Sequence, residues 1–88
     1  GQVHVATART HYDKSVTKER LLDPIENAYA SAATLRDYIN IFKGDILYGI
    51  AAYQAGPGNI QADYNLKRAP KNWKYVSDVL VMAAGVQN

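Results

Sequence analysis

Cysteine is missing altogether from these 88 residues, which excludes disulfides and thiolate metal sites. No apolar run approaches the length of a membrane span, and no signal-peptide pattern is present. The formal net charge is only +2. Lys and Arg are spread along the chain without a basic block, so no phosphate-binding stripe forms and nucleic acid is not an expected partner. Internal repeats, low-complexity tracts and strand-like alternation are also lacking. The chain opens without Met, on Gly1-Gln2-Val3, and is expected to be a segment of a longer polypeptide. Glutamate is scarce as well: only Glu19 and Glu26 occur.

What the chain does have is helical punctuation. Nearly half of it is apolar, enough for one small core. Asp23-Pro24-Ile25-Glu26 reads as a helix start, with Asp as N-cap, Pro at the first helical position and Glu closing a capping box. Ile25, Ala28, Tyr29, Ala32, Leu35, Ile39 and Phe42 then recur at three- and four-residue steps, as one apolar stripe. Gly44 is the expected stop. Asp45 can cap a second helix running to Tyr53, and Gly56-Pro57-Gly58 breaks it. Asn59 is the expected cap of a short third helix. Asn72 is the expected cap of a last one, from Trp73 to Ala84, ending at Gly85. Val3 to Tyr12 is read as helical and Asp13 to Arg20 as a charged connection. The expectation is a single all-α unit over residues 1–88, with four to five helices.

These features stand in an order that resembles the second half of the soluble lytic transglycosylase family. The acidic-Pro helix start with Asn27 soon after, the Ala- and Leu-rich run, the Gly44-Asp45 turn, the run A-Y-Q-A-G-P-G at residues 52–58, and the pair Tyr75-Val76 follow one another as they do there. Gly1-Gln2-Val3 and Thr7-Ala8 look like the end of the family's Gly-Leu-x-Gln turn and the helix start behind it. The usual Met-Pro is His4-Val5 here. The resemblance implies a lysozyme-like helical domain of which this chain is an incomplete, C-terminal part. It also implies a peptidoglycan-cleaving parent, acting in the bacterial periplasm or envelope or carried by a phage virion.

By that resemblance the β-1,4 bond between N-acetylmuramic acid and N-acetylglucosamine is broken without added water. One carboxylic acid protonates the leaving oxygen. As a base it then helps the 6-hydroxyl close a 1,6-anhydro ring, so the usual carboxylate pair is not needed. The family's catalytic Glu, followed by Ser, falls upstream of Gly1, and no catalytic residue is expected in this chain. Tyr53 and Tyr75 would flank that Glu, and Gln2 would hydrogen-bond the sugar's acetamido group. Gly56 and Gly58 would let the backbone approach the sugar and turn sharply. Gln54 stands where the family has Asn, keeping the amide one methylene further out.

Plainer readings stand beside these. Tyr53 and Tyr75 both fall in ordinary core patterns, Trp73 reads as a packing anchor, and Gln2 sits at a chain end. Glu26 is explained by capping and Glu19 by solvation. His4 and His11 lack a third ligand, so no metal site is expected, nor any cofactor. The expected partners are peptidoglycan glycan strands, together with a missing N-terminal half or another chain that covers the exposed core face. The alternative to an enzyme part is a structural or glycan-binding module of a larger virion or envelope-penetrating complex.

Overall fold

Helices supply all the regular secondary structure among residues 3–86, the part of the chain that the computed structural model describes. They are α1 (Val5–His11), a 3-10 turn (Arg20–Leu22), α2 (Pro24–Ile41), α3 (Ile46–Ala55), α4 (Pro57–Asn65) and α5 (Trp73–Val86). The all-α expectation and the count of helices hold among the described residues. Two compact units divide between Asp37 and Tyr38, within α2.

The first unit is built around Ala8, Val16, Leu21 and Ala30. Asp13 shapes the connection after α1: its carboxylate accepts from the Ser15 backbone N–H and hydroxyl, an Asx-type turn. Arg9 Nε donates to the Val16 carbonyl at 2.9 Å, which pins that loop to α1. Asp23 caps α2 by accepting from the Ile25 N–H, and Pro24 opens the helix at the position where its missing N–H costs nothing. The capping box does not form. The Glu26 carboxylate accepts instead from the Tyr12 hydroxyl at 2.9 Å and from the Arg20 guanidinium. A charge-assisted bond outweighs a neutral cap.

The α2 stripe also departs from expectation. The side that α2 buries carries Ala30 and Thr34, and the Thr34 hydroxyl donates to the Ala30 carbonyl at 2.8 Å. Ile25 is 68% exposed and Tyr29 63%, and Ala28 and Ala32 are exposed too. Small residues let α2 lie close to the loop that carries Val16 and Leu21. The larger apolar side chains are left on the other side, with Leu22 at 68% exposure just before them. Only the far end of the stripe turns inward: Leu35 and Ile39 are half-buried and Phe42 is buried.

The second unit has its core at Phe42, Ala51, Ala52, Ile60 and Val76. Phe42, Tyr48 and Tyr64 form an aromatic cluster, with Tyr48 and Tyr64 edge-on at 5.2 Å. α2 stops as expected at Gly44, which adopts φ 87 and donates its N–H to the Ile39 carbonyl. Asp45 then caps α3 by accepting from the Leu47 N–H at 3.1 Å. Gly49, in mid-α3, is buried against Ile39. A Cβ there would stand 2.2 Å from Ile39 Cγ1 and 2.9 Å from its Cα, so close packing of α3 against the end of α2 requires glycine.

Three expected helix ends are corrected. α4 begins at Pro57 rather than behind Asn59, because Gly56 absorbs the whole turn and frees Pro57 for the first helical position. Asn59 lies inside the helix, and its Nδ2 donates back to the Ala55 carbonyl at 2.6 Å. α5 runs through Gly85 to Val86, since Gly85 is not in the left-handed conformation that ends a helix. Asn72 does not cap α5 with its side chain; its amide is used elsewhere, as described below. Between α4 and α5, buried Asp63 accepts from Arg68 Nε at 2.7 Å and from the Lys71 N–H at 2.8 Å. These bonds hold the Asp63 carboxyl below its ordinary pKa, Arg68 contributing most.

Candidate functional site

The run of residues 52–58 spans the end of α3 and the start of α4, and its geometry follows from its residue types. Ala52 is buried in the core. Tyr53, the next residue, is half-buried, and Gln54 is exposed. Gly56 takes φ 90 and ψ 138, a conformation that side-chain-bearing residues rarely adopt, and its N–H donates to the Ala52 carbonyl at 2.7 Å. The chain thus leaves α3 and enters α4 within one residue. Gly58 is less special: it lies within α4, without a positive φ, and a Cβ there would meet nothing within 4 Å. The sharp turn attributed to both glycines belongs to Gly56.

Tyr53 lies near Tyr38 of α2. Burial first, and the proximity of Tyr53 second, hold the Tyr38 hydroxyl above its ordinary pKa. Tyr38 therefore stays a protonated donor at neutral pH. It was not singled out in the sequence, although it lies at three- and four-residue steps between Leu35 and Phe42. Gln54 Oε1 accepts from Asn72 Nδ2 at 2.8 Å, and the same Nδ2 donates to the Ala51 carbonyl at 3.0 Å. Asn72 thereby brings the start of α5 to the end of α3. This second residue was missed because Asn before a helix reads most simply as its cap.

Tyr75, on the first turn of α5, is 40% exposed while its neighbour Val76 is buried in the core. It is a surface residue of this unit, not the core residue of the plainer reading. Trp73 is 45% exposed and is no buried anchor. Gln2, expected to meet the acetamido group, lies outside the described residues. In the first unit Val3, His4, Val5, Lys18, Leu22 and Asn27 border a cleft of about 290 Å³. Asn27 is fixed there, donating to the Leu21 carbonyl and accepting from the Ser31 hydroxyl. His11 Nδ1 and Asp37 Oδ2 share a hydrogen bond at 3.0 Å, which holds the Asp37 carboxyl below its ordinary pKa. Among the described residues, no group of three or more His, Cys, Asp or Glu could hold a metal ion.

The model of the transglycosylase SLT domain matches residues 2–76. The chain belongs to this family. No curated protein and no solved structure matches it. The SLT domain match takes in Tyr53, Gln54, Gly56 and Tyr75 and ends at Val76, so it includes the whole 52–58 turn and the first residues of α5. The family is enzymatic, lytic transglycosylase-related, and directed at peptidoglycan in the cell envelope. No helix among the described residues is long and apolar enough to cross a membrane.

Proposed function

We propose that this SLT domain chain is part of a lytic transglycosylase that cleaves the N-acetylmuramic acid to N-acetylglucosamine β-1,4 bond with 1,6-anhydro product formation, and that it supplies substrate-binding groups without the catalytic acid. The observation that carries this reading is the state of its two glutamates. Glu19 is exposed. Glu26 is tied to Arg20 and to the Tyr12 hydroxyl. Neither is a free, sheltered carboxylic acid of the kind that protonates a leaving oxygen. By the family resemblance, the acid would be a Glu carried outside these 88 residues.

The groups this chain would contribute are Gln2, Tyr53, Gln54, Gly56 and Tyr75. Tyr53 offers a phenol donor in a half-buried setting, where a ring excludes water while the hydroxyl bonds to the ligand. Such a setting favours the protonated form of an adjoining carboxylic acid. Gly56 removes a side chain where the backbone would meet the sugar. The uncovered apolar residues Leu22, Ile25 and Tyr29 support a docking face for the helical segment that carries the acid. The site of action would be the periplasm or cell envelope, reached by a bacterial enzyme or by a phage virion component.

The state of these two glutamates also favours a second reading, in which the fold serves as a glycan-binding or structural module of an envelope-penetrating assembly. Digestion of purified peptidoglycan separates the two. The chain alone should release no 1,6-anhydro muropeptides, and their appearance would overturn the missing-acid claim. The parent polypeptide should release them; a parent that binds peptidoglycan without releasing them establishes the module reading.

A further inference from the structure

Asn72 stands immediately before α5, where an Asn side-chain oxygen ordinarily accepts from the first helical N–H groups. Here it does not. Oδ1 is buried and accepts no hydrogen bond among the described residues, while Nδ2 makes two, to the Ala51 carbonyl and to Gln54 Oε1. The orientation of the amide is forced. A carbonyl can only accept, so exchanging the oxygen and nitrogen of Asn72 would set its oxygen against that of Ala51. Both Nδ2 hydrogens are therefore committed, one to the Ala51 carbonyl and one to Gln54 Oε1. Gln54 in turn must present its oxygen to Asn72, which leaves its Nε2 hydrogens for the exposed side.

We propose that Asn72 is a positioning residue that fixes the polarity of Gln54, so that this point of the cleft wall offers donors only. The proposal rests on the reading of Gln54 as substrate-facing. The ligand it selects carries an acceptor oxygen there, such as the acetamido carbonyl of an N-acetyl sugar. A de-N-acetylated amino sugar presents an ammonium group, which can only donate, and meets a donor with no acceptor to answer it. A glutamine free to rotate would accept from the ammonium and lose the distinction. Asn72 thus makes the wall selective for N-acetylated glycan.

The test compares binding of chitotetraose with that of its de-N-acetylated counterpart to the full 88-residue chain. Binding is followed by NMR titration, with the Gln54 side-chain amide as a local signal and circular dichroism as the check on folding. The unaltered chain should bind chitotetraose more tightly. Asn72→Ala should weaken that binding roughly 3- to 10-fold, the range of one net hydrogen bond, and erase the preference. Gln54→Glu, on the surface, keeps an acceptor for Asn72 and should reverse the preference toward the ammonium sugar. If Asn72→Ala lowers both affinities equally, or if Gln54→Glu retains the N-acetyl preference, the positioning role is overturned while the cleft reading stands. If the unaltered chain binds neither sugar, the cleft reading itself fails, and the inference with it.

Discussion

Gly56 holds φ 90 and ψ 138 between two helices, and any side chain there carries strain of about 1–3 kcal/mol. Gly56→Ala should lower stability by that amount in urea titration. Lys67 presents the opposite case. It takes φ 55, where a side chain costs about 1–2 kcal/mol, while glycine adds about 0.5–1 kcal/mol of lost chain entropy. The first term exceeds the second, so Lys67→Gly should be neutral to stabilising, by up to about 1 kcal/mol; a clear loss would mean that the Lys67 side chain makes a contact of its own. Tyr53→Phe in an active parent should slow muropeptide release with little change in melting midpoint, and an unchanged rate would return Tyr53 to a packing role. At this scale the sequence was informative where one residue type serves one geometry, as with Gly56 or the Asp45 cap. It was ambiguous where one side chain has several uses. Asn72 can cap or bridge, Asn59 can cap or reach backward, and Glu26 can close a box or pair with Arg20; in each case the partner is set by the fold.

The helices themselves were legible, because Asp23-Pro24 and Gly44-Asp45 carry their own start and stop chemistry. What escaped was direction. Periodicity identifies an apolar stripe on α2 but is silent about what covers it, and Ile25 and Tyr29 lie in the open. Burial went instead to Ala30 and Thr34, whose small size allows close approach. Gly49 escaped for the same reason: a glycine inside a helix looks like a weakness until Ile39 is seen against it. Gly49→Ala should cost about 1–3 kcal/mol or more, as an overpacked core does. Pairing it with Ile39→Ala should recover only part of the loss. That change removes Cγ1, at 2.2 Å, but not the Cα at 2.9 Å from the added methyl. A double-mutant cycle by urea denaturation measures the coupling, and strict additivity would contradict the contact.

For the molecule as a whole, acid is the revealing perturbation. Asp13 is held down to about 2, first by the Ser15 N–H, then by the Ser15 hydroxyl and Arg20. Asp37 is lowered chiefly by His11, and Asp63 chiefly by Arg68. Each folded-state value lies below the ordinary 3.8, so the stability these carboxylates contribute is complete above that value and is lost as pH falls through the folded one. The melting midpoint should be level from neutral pH to about pH 5 and then fall down to about pH 2; a midpoint that rises on acidification would contradict all three assignments. A choice of probe follows from the aromatic residues. The only tryptophan, Trp73, is nearly half exposed, so its fluorescence changes little when the interior loosens. Phe42, Tyr48 and Tyr64 are locked at fixed angles. Near-ultraviolet ellipticity of the tyrosines therefore carries the signature of the second core's aromatic cluster, together with that of Tyr12 in the first unit, and far-ultraviolet ellipticity reports the helices.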